Sequence, residues 1–89
     1  MNAIITVVGR DRVGIIAAIC VKLAEYNVNV LDISQTILQN SFTMVMAVDI
    51  EKANVSFAQI AGGLSELGQE MGLMIHIQRE EIFDAMHTI

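Results

Sequence analysis

The 89-residue chain has no proline, no tryptophan, a single cysteine and only five basic residues. Each shortage excludes something. Arg10, Arg12, Lys22, Lys52 and Arg79 are too few and too scattered to displace the counterions of a phosphate backbone, so no direct nucleic-acid binding is expected. A lone Cys20 cannot form an internal disulfide and fits a reducing cytoplasm. The longest unbroken run of apolar or glycine residues, Val13 to Val21, is about half the ~20 residues a membrane span needs. The opening Met1-Asn2-Ala3-Ile4 lacks a basic region, so no signal peptide is expected, and a cytoplasmic location follows. Without proline, and with 22 isoleucines and valines against a low charge content, a disordered chain is excluded.

What is there in quantity is apolar. Hydrophobic residues make up 54% of the chain. Counting glycine and leaving out tyrosine, the share is about 60%, where soluble domains average ~45–50% on that count. A chain this short buries only about 60–70% of its extended surface. The surplus predicts an interface, a ligand pocket, or both. The length allows one domain, with a core over 3–79 and a C-terminal segment over 80–89.

The spacing of the apolar residues changes along the chain. Ala3 to Val8 is a β-branched run that reads as a strand covered on both faces. From about Val13 to Tyr26, Ile16, Ile19, Cys20 and Leu23 follow a helical period, with Asp11 expected as the cap and Asn27 as a left-handed stop. Val28 to Leu38 alternates, with Leu31, Ile33 and Ile37 on the expected inner face and Asp32, Ser34 and Thr36 outside. Gln39-Asn40 marks a tight turn, and Phe42 to Ile50 reads as a central strand. Ser56-Phe57-Ala58-Gln59 is a capping box opening a second helix, which Gly72 ends. Leu73 to Arg79 is a last strand, and residues 80–89 suit a short amphipathic turn presenting Ile82, Phe83, Met86 and Ile89. The order β-α-β-β-α-β predicts an α+β, ferredoxin-like fold: a four-stranded antiparallel sheet with two helices on one face.

One segment stands out for chemistry. In Gly9-Arg10-Asp11-Arg12-Val13-Gly14-Ile15-Ile16 a strand runs through a tight loop into a helix. Free amides at a helix start hold carboxylates well, and a glycine there leaves the backbone uncovered. The same two glycines also serve a sharp turn and nothing more. The loop is not a P-loop, because Ile15-Ile16 stand where Lys-Ser/Thr is required. Cys20 falls on the helical stripe and reads as a packed thiol. His76 and His87 have no partners at ligand spacing, so no metal site is expected.

The stretch Val7 to Ile37 resembles the first half of an ACT domain. It carries the Gly-Arg-Asp-Arg-Val-Gly-Ile-Ile loop, then Asn27-Val28-Asn29-Val30 and Ile33-Ser34-Gln35-Thr36. With Ile82-Phe83-Asp84-Ala85-Met86 at the end, the chain is most similar to small stand-alone ACT proteins of bacteria and archaea. The resemblance implies a homodimer that binds a small molecule, an amino acid in many members, between the first loop of one copy and the second strand of the other. It implies Asp11, Val13, Gly14 and Ile15 on the loop side, and Asn29, Leu31, Asp32 and Ile33 on the strand side. Many members have proline where this chain has Val13. The resulting expectation is a non-enzymatic, ligand-binding regulatory homodimer with no catalytic residue and no cofactor. The alternative is a protein-interaction subunit that keeps the scaffold and binds no ligand.

Overall fold

The computed structural model describes residues 2–80. It contains β1 (Asn2–Arg10), α1 (Ile15–Glu25), β2 (Asn29–Leu38), β3 (Ser41–Asp49), α2 (Phe57–Met71) and β4 (Leu73–Arg79). All three strand pairings are antiparallel, in the order β2-β3-β1-β4. The expected α+β, ferredoxin-like topology is therefore the observed one. The expected turn over 80–89 lies, apart from Glu80, outside the described residues.

Register explains why β1 and β3 are rich in apolar residues. Ile5 sits opposite Met46 on one side and Ile77 on the other, so every second row across the sheet contributes to one inner face. Ala3, Ile5 and Val7 of β1 and Phe42, Met44, Met46 and Val48 of β3 are buried there. Ile15, Ile19 and Leu23 of α1 and Ile60 and Leu64 of α2 close the core from above. The other face of the sheet is less apolar. Ile4, Val45 and Ala47 are half-buried on it, while Val8 and Met74 are exposed.

Local signals set the element ends. The Ser56 hydroxyl accepts from the Gln59 N–H at 3.2 Å, and the Gln59 side chain accepts from the Ser56 N–H at 3.1 Å, which completes the capping box. Gly72 closes α2 in the left-handed conformation, φ 71°. Asn27 ends α1 at φ 58°, and Gln39 and Asn40 make the β2–β3 turn at φ 51° and 69°.

Two local expectations fail. Asp11 does not cap α1: the helix begins later, and its cap position is Gly14, which offers no side chain. The Asp11 N–H donates instead to the Asn40 carbonyl at 2.7 Å, tying the loop to the β2–β3 turn. The supposed inner face of β2 is also not covered. Val30 alone is half-buried in this strand, and Leu31, Ile33 and Ile37 are 51%, 40% and 54% exposed. The strand is one of the sheet's two edges, the one beyond the cover of the helices. The register shift between Val30 and Asp32 leaves Leu31 as a bulge, which breaks the simple alternation.

Candidate functional site

The β1–α1 loop forms one wall of a cavity of about 300 Å³. The cavity is bounded by Asp11 and Arg12, by Gly14 to Ala17 at the start of α1, and by Gln35, Ile37 and Phe42 of the β2–β3 hairpin. The hairpin turn returns the chain beside the loop, and the Asp11–Asn40 hydrogen bond holds the two together.

The first turn of α1 gives the cavity its polarity. The amides of Ile15, Ile16 and Ala17 fall before the first i→i−4 bond, which Ala18 makes to the Gly14 carbonyl at 2.9 Å. Gly14 supplies no capping group, so these donors and the helix dipole favour an anion. Gly14 adopts φ 91°, where a side chain is strained whatever the space, and no atom lies within 4 Å of the place a Cβ would occupy. The backbone is thus open to close approach. Asp11, which is exposed, adds one carboxylate suited to an amino group.

Arg12 does not balance Asp11 from within. Its guanidinium donates to the Met71 carbonyl at 3.3 Å, serving the last turn of α2. Arg10 pairs in register with Ser41 at the base of the hairpin and lines a different, polar hollow with Asp11, Gln39 and Asn40. Apart from Gln35, the remaining walls are apolar: Ile15 and Phe42 are buried, and Ile37 is half open to solvent. A small molecule with a carboxylate, an ammonium group and an apolar body matches this set of walls. Cys20 is half-buried on α1, and His76 is exposed on the opposite sheet face; neither lines the cavity. Among the described residues, no cluster of His, Cys, Asp and Glu could hold a metal, and no helix is long and apolar enough to cross a membrane.

Of the residues expected on the loop side, Asp11, Gly14 and Ile15 line the cavity; Val13 points away, 98% exposed. The strand-side residues are separated from it. Asn29 opens β2, opposite Asp49, at the far end of the strand from Leu38, which pairs with Ser41. With ~3.3 Å per residue, that distance is about 30 Å. Asp32 shares the open sheet face with Ala47, and its carboxylate accepts from the Ile33 N–H at 2.9 Å. Ile33 shares the helix-side face with Met46. Arg12, Ile16, Ala17, Gln35, Ile37 and Phe42 were not anticipated as cavity residues. The tight turn at Gln39-Asn40 was the available signal, since it forces the end of β2 and the start of β3 up against the loop.

The ACT domain family model matches residues 2–78. The UPF0237 protein of Bifidobacterium longum is 55% identical over 88 residues, covering 99% of this chain and 98% of the relative. A UPF0237 protein of the archaeon Methanocaldococcus jannaschii is 49% identical over 88 residues, with the same coverage of 99% and 98%. Among solved structures, an ACT domain protein from Streptococcus pneumoniae superposes with a TM-score of 0.81 at 40% identity, covering 94% of each chain.

Proposed function

The chain belongs to the ACT domain family, which commonly binds amino acids or other small ligands in regulatory proteins, and from this premise we propose that it is a non-catalytic regulatory module binding an α-amino acid between two copies of itself. The observation that carries this reading is the separation of the expected site along β2. Asp11 and Asn29 flank opposite ends of one strand, so a single chain cannot bring both to one small molecule. Two chains can. Among the described residues β2 is an outermost strand paired only with β3, and it presents Leu31, Ile33, Ile37 and Leu38 to solvent. A long apolar edge of this kind is a template for pairing with a second chain.

Charge selects the pairing. An antiparallel two-fold centred on Asp32 would set two carboxylates face to face, which is unfavourable. Centred on Ile33, it places isoleucine against isoleucine and Asp32 beside the partner's Ser34. Counting outward past the bulge at Leu31, the Asn29 end of one copy then comes alongside Thr36 and Ile37 of the other, beside the Asp11 cavity. The loop of one chain and the opening of β2 from its partner enclose one ligand, with Asp11 toward the amino group and the α1 amides toward the carboxylate. Location in the cytoplasm accords with this role.

Binding and assembly are then linked, because ligand stabilises only the paired, folded form. An amino acid present at ~100 times its dissociation constant adds about 2.7 kcal/mol, or about 10–20 °C in Tm for a domain of this size. Melting curves recorded with each of the twenty common L-α-amino acids check this. One or a few should shift the curve; a flat response across the panel by a stable dimer would favour an interaction subunit that binds no ligand.

A further inference from the structure

The cavity at Asp11 leaves a charge unanswered. Of the residues lining this cavity Arg12 is the basic one, and it is engaged at the end of α2, while Arg10 shares a separate polar hollow with Asp11. A second cavity, of about 440 Å³, lies at the other end of α1. It is lined by Ala24, Asn27, Val28, Asn29, Asp49 and Lys52. Its frame is rigid: the Asn27 side-chain amide donates to the Lys52 carbonyl at 2.8 Å, and the Asn54 side-chain amide donates to the Glu25 carbonyl at 3.0 Å. The Asn54 N–H adds a bond to the Tyr26 carbonyl at 3.0 Å. These bonds clamp the β3–α2 loop to the end of α1 and so fix where the Lys52 side chain begins. No hydrogen bond or ion pair among the described residues engages the Lys52 amine, and the residue is exposed.

We infer that Lys52 of the second copy is a specificity-determining residue of the ligand site. This rests on the two-copy reading of β2 given above. A two-fold axis normal to the sheet at Ile33 exchanges the two ends of β2 and keeps the helices on one side. It therefore brings the Lys52 cavity of one chain against the Asp11 cavity of the other. The joint site sets Asp11 and Arg12 of one chain against the partner's Lys52 and Asp49. With Arg12 engaged on the Met71 carbonyl and Asp49 accepting from the Glu51 N–H, Asp11 and the partner's Lys52 stand as the opposed charges, which is the charge pattern of a zwitterion. Lys52 answers the ligand's carboxylate from the side opposite the α1 amides. Its role is to separate amino acids from simple amines of the same shape, which Asp11 and the apolar wall alone would accept.

Complementation between chains tests this. Asp11→Ala and Lys52→Ala chains are made separately and also co-expressed, and the twenty common L-α-amino acids are titrated into each sample by calorimetry. Each single variant should bind about 10- to 100-fold more weakly, the loss expected for one charge-assisted hydrogen bond. The co-expressed mixture should regain full affinity at about one quarter of its sites, the yield when chains pair at random into two-fold dimers. Lys52→Gln, which keeps the length and removes the charge, serves the same test if the alanine variant does not assemble. Unchanged binding by the Lys52 variants, or two weakened variants whose mixture regains nothing, overturns the inference. Failure of the wild-type chain to bind any member of the panel would instead sink the amino-acid reading itself.

Discussion

Gly68→Ala destabilises the fold by about 1–3 kcal/mol, as overpacking of a filled interior does, and lowers Tm by about 5–20 °C. The cause is the tight reversal from α2 into β4. At Gly72 the chain turns back so sharply that the Leu73 carbonyl oxygen lies 2.7 Å from the position a Cβ on Gly68 would take. The obstacle is backbone, and it cannot rotate aside. Ile75 adds a side-chain atom at 3.3 Å. Relief requires α2 to lift from β4 and disturbs Leu73 and Ile77, both buried beneath the helix. Gly62→Ala in the same helix is the control. A Cβ there meets nothing within 4 Å, so this change should raise stability by about 0.5–1 kcal/mol through helix propensity. Chemical denaturation of both variants measures the contrast.

Ile33→Asp separates the copies and leaves each one folded. In a single chain Ile33 is 40% exposed on an outermost strand, so its replacement costs the isolated domain about 1 kcal/mol, the span between strand-favouring and strand-avoiding residues. In the proposed pair it meets its own symmetry mate, and the variant brings two carboxylates together at the centre of the contact. Like charges so placed cost several kcal/mol, and each 1.4 kcal/mol is tenfold, so the dimer should weaken by about 100-fold or more. Amino-acid stabilisation should vanish with it, although no residue of the Asp11 cavity has changed. Sedimentation velocity gives the first readout and thermal melts the second. A variant that stays dimeric would place the contact elsewhere on the molecule.

The parts of the fold legible in the sequence were those governed by short-range physics. Ser56 with Gln59, Asn27, Gln39-Asn40 and Gly72 each act on neighbours a few residues away, and each sits where its chemistry requires. The double-sided apolar runs of β1 and β3 similarly marked the two central strands. What escaped depends on which elements meet in space. Leu31, Ile33 and Ile37 alternate as a half-buried strand would, yet β2 lies too far out for either helix to cover it. The shift at Leu31 has no local signature. Nothing around Gly68 distinguishes it from a tolerated helix glycine, because its reason is the carbonyl of Leu73 across a turn. At the site, the loop residues were legible because a strand, a glycine and a helix start are contiguous. Ile37 and Phe42 became visible only through the hairpin's return, and the role proposed for Lys52 depends on a second copy, which no pattern in one chain announces.

The exposed apolar edge of β2 gives a place to part of the apolar surplus. It is the surface on which the central claim depends: two copies joined through this strand, with an amino acid held at each loop. Native mass spectrometry of the freshly purified chain, alone and with each of the twenty common L-α-amino acids, tests that claim most directly. The account predicts a dimer that takes up one amino acid per chain and becomes harder to dissociate when it does. A monomer that remains a monomer and carries no bound amino acid under every condition would contradict it.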